Sequence, residues 1–164
     1  MAAAEVFQKK VDLQLLYART QLNALVGQSG FAKQAFLQAA LLQLHLALKA
    51  YISEITNGRV VVEGAEELLR LDVGAYDFRL KELQVLATDT AQWLSQLYFS
   101  INHLYTAGSS LPVTRSFAAS AVNVIASSGS APQQWDELSV ADVERVIQAF
   151  RAFIDNQRGL SIES

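Results

Sequence analysis

The side chains best suited to acid–base or ligand chemistry are two histidines, one acidic cluster and a group of aromatics. His45 could act as a base or a metal ligand, because imidazole titrates near neutrality. On a helical wheel it falls about 70° from the centre of its apolar stripe, near Leu41, Leu48 and Ile52. No Asp, Glu or second His lies three or four residues away to pair with it. A semi-buried imidazole making one hydrogen bond is therefore the expectation. His103 falls about 180° from the row of Leu94, Leu97 and Ile101 and is expected to face solvent. Trp93, Tyr98, Phe99 and Tyr105 share one helical segment and could form a stacking platform, although Tyr and Trp also line cores and partner surfaces. Phe99 lies about 140° from Leu94, outside the inner row. An exposed Phe99 near Phe31 or Trp135 would mark a binding patch. His45, Trp93, Tyr98 and Phe99 are thus the candidate ligand or partner residues.

Established reaction chemistries find no matching pattern. A di-iron bundle needs inward Glu-x-x-His pairs, but Leu42 and Ser100 stand three residues before the histidines. The H-E-x-x-H, G-x-S-x-G, P-loop and G-x-G-x-x-G patterns are absent. With no cysteine, disulfides, thiolate catalysis and zinc–thiolate sites are excluded. Glu63, Glu66 and Glu67 could gather a cation through carboxylates, but they read better as an acidic helix start that complements the helix dipole. The expectation is a chain with no catalytic residues, no metal and no cofactor.

The elements that position these residues follow from apolar spacing. Phe7, Val11, Leu15, Ala18, Leu22 and Leu25 make one stripe and predict a helix over 5–26, with Gly27 as its C-cap. Leu37, Leu41, Leu44, Leu48, Ile52 and Ile55 predict a second helix over 31–56, stopped at Asn57–Gly58. Between Gln34 and Leu48 it carries no Asp, Glu, Lys or Arg, so it should sit centrally. Arg59–Val62 reads as an extended connector, because a single β-branched run has no partner strand. Shorter helices are predicted over 63–72 and 77–87. Asp89 and Gln92 have capping-box spacing and predict a helix from Thr90 to about Thr106. Ser139 caps the last helix, with Leu138 and Val143 placed as a hydrophobic staple and Asp142 in the first turn. Val143, Ile147, Phe150 and Ile154 form its stripe, and Gly159 should close it.

Residues 109–134 differ in kind. They are rich in Ser, Ala and Gly and contain both prolines, Pro112 and Pro132. A short helix near 115–122 with flexible flanks is expected, since long structureless loops are uncommon in compact domains. The whole reading is all-α: one domain over 1–164, a bundle of four main antiparallel helices plus one or two short ones.

Composition agrees with a packed helical core. The chain has 164 residues, 51% of them hydrophobic and 18% charged, with net charge −3. A chain of this length buries about two-thirds of its extended surface without a staple. Its charged share is below the usual ~25%, which hints at a surface buried against a partner. The 13 basic residues are scattered, leaving no electrostatic footprint for DNA and little for RNA. The segment MAAAEVFQKK does not resemble a secretory signal. The apolar stretch Leu37–Leu48 is shorter than the ~20 residues of a membrane span. A cytoplasmic, non-membrane location is the expectation.

Three stretches carry a family resemblance: HLALKAYISEI from His45 to Ile55; ELQVLA from Glu82 to Ala87, followed by Asp89, Trp93–Leu94 and Leu97; and Phe150–Arg151 in the last helix. Together they resemble an uncharacterised all-helical family of gammaproteobacterial proteins, a domain of unknown function. That likeness implies the fold and no activity. The architecture is also distantly similar to HEPN bundles. Their catalytic Arg, four to six residues before a His, has no counterpart before His45 or His103, so the likeness implies an inactive relative. Three functions remain open: a self-associating or protein-binding module without enzymatic activity, an inactive RNA-linked module, or a bundle holding a small apolar ligand near His45 and the tyrosines.

Overall fold

The computed structural model describes residues 3–72, 74, 78–107 and 139–162. All the regular elements among them are helices: α1 (Ala3–Asn23), α2 (Gly30–Ile55), α3 (Ala65–Arg70), α4 (Phe78–Thr88), α5 (Trp93–Ala107) and α6 (Val140–Ile162). The fold is all-α. The connector expected over 109–134, its short helix at 115–122, Trp135 and the Leu138 side of the staple lie outside the described residues.

The helix α2 is the hub, touching α1, α4, α5 and α6. Its predicted stripe is buried throughout, from Leu37 to Ile55. By length and composition α2 could span a membrane; 56% of its most apolar window is buried within the bundle. The shorter apolar count over Leu37–Leu48 missed this, because alanines and uncharged glutamines extend the run beyond the leucines. A core helix and a spanning helix share this composition, since both are apolar around most of their girth.

The α1–α2 hairpin is the most extensive packing among the described elements. The inner row of α1 is buried from Val11 to Leu25. The helix ends at Asn23, earlier than expected. Residues 24–28 form tight turns, with Leu25 N–H donating to Leu22 O at 3.1 Å and Gln28 N–H to Leu25 O at 2.9 Å. Gly27 closes that turn with φ +81°. At the far end, Asn57 (φ +53°) and Gly58 (φ +75°) stop α2. Gly58 N–H reaches back to Ser53 O at 2.8 Å, the long bond of a Schellman stop. A Cβ on Gly58 would lie 3.2 Å from the Phe7 ring, which would have to give by a few tenths of an ångström, and the positive φ would strain any side chain there.

Residues 59–62 form the expected connector. Val60 and Val62 are buried and Val61 is exposed, the alternation of an extended chain lying on a core. The short helix after it covers six residues, 65–70, not ten. Two starts and stops also differ from expectation. Asp89 does not begin α5: its Oδ1 accepts from Ala91 N–H at 3.0 Å and its Oδ2 from the Gln92 side chain at 3.2 Å. Asp89 thus closes a turn on itself, and the helix begins at Trp93. Gly159 does not end α6, which continues to Ile162. A glycine terminates a helix when it takes positive φ, and Gly159 does not. Ser139 does cap α6, accepting from Asp142 N–H at 3.1 Å while its hydroxyl donates to Asp142 Oδ2 at 2.6 Å.

An aromatic knot joins α2, α5 and α6. Trp93 stacks on Phe150 with centroids 4.7 Å apart, and Tyr51 meets Phe150 and Phe153 edge-on at 6.3 and 5.9 Å. Such pairs add about 0.5–1.5 kcal/mol each beyond area burial.

Candidate functional sites

His45 and Tyr98 converge. Their rings meet edge-to-face with centroids 6.5 Å apart, where α2 and α5 pack. His45 is 5% exposed, and its Nε2 lies 3.1 Å from Glu63 O. The carbonyl can only accept, so Nε2 carries the proton. Burial lowers the His45 pKa, outweighing the Glu63 hydrogen bond that raises it, and Lys49 lowers it further. The imidazole is therefore neutral at pH 7. Glu63 is a three-way clasp. Besides its carbonyl, its carboxylate takes the Lys49 ammonium at 2.5 Å, and its N–H donates to Glu67 Oε2 at 2.8 Å. The Lys49 hydrogen bond holds the Glu63 carboxyl below its ordinary range. The Tyr98 hydroxyl is buried without a hydrogen-bond partner among the described residues. Burial, with the Glu67 charge adding to it, raises its pKa and keeps it a neutral phenol.

This corner holds one imidazole, two carboxylates, an ammonium and a phenol, yet most of their bonds run to one another or to the backbone. Its clearest effect is to fasten the 57–64 crossing and the start of α3 to α2. The acidic trio divides as a helix start would: Glu66 pairs with Arg70, Glu67 holds the Glu63 N–H, and Glu63 reaches Lys49. Among the described residues, no three His, Asp or Glu side chains gather as metal ligands do.

The other candidates separate. Trp93 belongs to the aromatic knot and is 8% exposed. Phe99 is exposed, as its wheel position requires, and stacks on His103 with centroids 6.3 Å apart. His103 is half-buried rather than solvent-facing, because the Phe99 ring one turn earlier covers it. Phe31 is 97% exposed at the start of α2.

Two arrangements were not singled out by sequence. In the first, the Arg158 guanidinium on α6 reaches Glu54 on α2 through Nε and Nη2 at 3.0 and 2.8 Å, and Asp12 on α1 through Nη1 at 2.9 Å. Arg151 joins Asp12 at 3.2 Å and Asp155 at 3.1 Å. Burial opposes the charge on Arg158, but the bonds from Glu54 and Asp12 outweigh it and raise its pKa. Three helices are bolted at one corner. The second arrangement is an open groove of about 450 Å³ between α4 and α6, lined by Phe78, Lys81, Glu82, Val85, Leu86 and Phe153. The Phe78–Val85 spacing of seven, with Lys81 and Glu82 between, is a legible second face on α4 opposite Leu80 and Leu83.

A family model described as "Family of unknown function (DUF6586)" matches residues 13–164. No curated protein and no solved structure matches the chain.

Proposed function

The chain belongs to DUF6586, a family of unknown function, and from that premise we propose that it is a non-enzymatic module that self-associates through the outer face of α1. The observation that carries the reading is that α1 is apolar on two opposite faces. Val11, Leu15, Ala18 and Leu22 point into the bundle, while Val6, Leu13, Leu16 and Tyr17 lie about 180° away and are 42–59% exposed.

A second apolar stripe exposed along an edge helix is the kind of surface that marks an interaction site. Val6 and Leu13 are seven residues apart, and Leu16 and Tyr17 follow at three and four, which is the seam spacing of paired helices. The cation within the stripe, Lys9, is met by Glu5 at 3.0 Å. A neutral apolar stripe fits a like stripe, so the occupant is a second copy related by a two-fold axis across α1. The low charged share of the chain agrees with this.

Sedimentation over a micromolar concentration range tests the proposal. The wild-type chain should be dimeric and Leu16→Glu monomeric with its helicity unchanged. A wild-type chain that stays monomeric throughout, or a Leu16→Glu variant that still dimerises, would overturn it. The RNA-linked alternative draws no support at His45, whose contacts are Glu63, Lys49 and Tyr98.

A further inference from the structure

We infer that the groove between α4 and α6 binds a small amphiphile with an anionic head, its tail on Phe78, Val85, Leu86 and Phe153 and its head at Lys81. This site is independent of the outer face of α1.

Its size falls in the range of small-molecule sites, about 300–1,000 Å³. Phe78 and Val85 are 56% and 59% exposed, so an apolar tail lying over them removes hydrocarbon from water. The groove is also preformed. Its wall residue Phe153 is braced by Tyr51 and by Trp93, each with centroids 5.9 Å away. That wall has little conformational freedom left to lose on binding.

The two charges on the groove are not equivalent, and this sets the head group. Glu82 is already engaged: its Oε2 accepts from the side-chain amide of Gln157, a residue 1% exposed. The neutral amide leaves Glu82 charged but holds one of its oxygens toward α6, so the charge free to turn toward a ligand is that of Lys81. Lys81 has no ion-pair or hydrogen-bond partner among the described residues. It stands three residues from Phe78 and four from Val85, so its alkyl stem runs along the apolar wall while its ammonium stays in water. An apolar trough beside one unengaged cation suits a carboxylate-headed aliphatic chain better than a neutral or cationic one. The occupant is a molecule of that class, not a protein helix, because the trough is short: its α4 wall covers nine residues, Phe78 to Leu86.

The test titrates the full chain, methyl-labelled at Val and Leu, with decanoate and decyltrimethylammonium below their micelle concentrations and decanol below its solubility limit. Decanoate should saturate and shift the Val85 and Leu86 methyls, binding about two- to fivefold tighter than decanol, as expected for one exposed charge contact. Lys81→Gln should erase that advantage while leaving decanol binding unchanged. Lys81→Glu should reverse the preference toward the ammonium. Both variants are on the surface and leave the core intact. Equal binding of the three heads would overturn the proposal, as would shifts confined to other helices or no saturation with decanoate. Val85 and Leu86 shifts that track protein concentration without ligand would also overturn it, by assigning the groove to a second copy.

Discussion

The last three turns of α6 present two opposed kinds of surface. One carries Arg151, Asp155 and Arg158, all spent on ion pairs that reach α1 and α2. The other carries Phe153 and Gln157 and borders a groove in which an ammonium and two large apolar side chains remain unengaged. The same stretch of helix is closed on one side and open on the other. Charged residues are a poor guide to function when their partners are internal. What distinguishes a surface available for binding is a group whose partner is missing. By that measure the charged groups of the His45–Glu63 corner belong with the Arg158 corner; the group there without a partner among the described residues, the Tyr98 hydroxyl, is buried rather than at a surface.

Substitutions can separate the two sides. The largest effect is expected where they share a core. Phe150→Ala removes the ring between Trp93 and Tyr51 and should destabilise by about 3–5 kcal/mol, loosening both sides together in a denaturant titration. Arg158→Met comes next. It strands Glu54, whose side chain is 9% exposed, and leaves Asp12 with Arg151 alone, for an expected loss of about 2–4 kcal/mol. The Val85 methyl signal should stay in place, since the groove lies on the other side of α6.

His45→Ala should cost about 1–3 kcal/mol, because it removes the donor to Glu63 O and opens a gap against Tyr98. The same residue sets a pH dependence. Its pKa is lowered on folding, so below about pH 6.5 the unfolded chain binds the extra proton first. Stability should be level in the His45 contribution above that pH, fall as the pH drops through the window below it, and level off once the folded imidazole is also protonated. Comparing wild type with His45→Gln by thermal melts across this range isolates the slope, which the variant should lack. The smallest effect is expected at Lys81→Gln, within about 0.5 kcal/mol of wild type, as nothing internal depends on that ammonium.

Most of the fold was legible because the signals are local. Apolar period alone places α1, α2, α5 and α6, and their predicted rows are the buried ones, from Val11 through Ile154. Ser139 with Asp142 and Asn57 with Gly58 act at the positions their chemistry dictates. The misreadings also have local causes. Gly159 resembles a stop only until its φ is known, and Asp89 can cap either a helix or a turn of its own. The site was less legible. Arg158 meets Asp12 and Glu54 across 146 and 104 residues, and no sequence period records such a pairing. His45 announced itself by residue type, yet its partner is a backbone carbonyl, which every residue carries. The groove was half-visible: Phe78 and Val85 share a face of α4, but its opposite wall, Phe153, comes from α6, and no sequence period pairs the two helices.

The valine triplet after Gly58 has a consequence for how the protein behaves in a crowded solution. Three β-branched residues in an extended, unpaired conformation form the kind of short segment that stacks into cross-β fibrils when it is released from its parent structure. Here the segment is bounded by Arg59 and Glu63. Parallel in-register stacking of copies would pile guanidinium on guanidinium and carboxylate on carboxylate, so the two end residues act as gatekeepers against that arrangement.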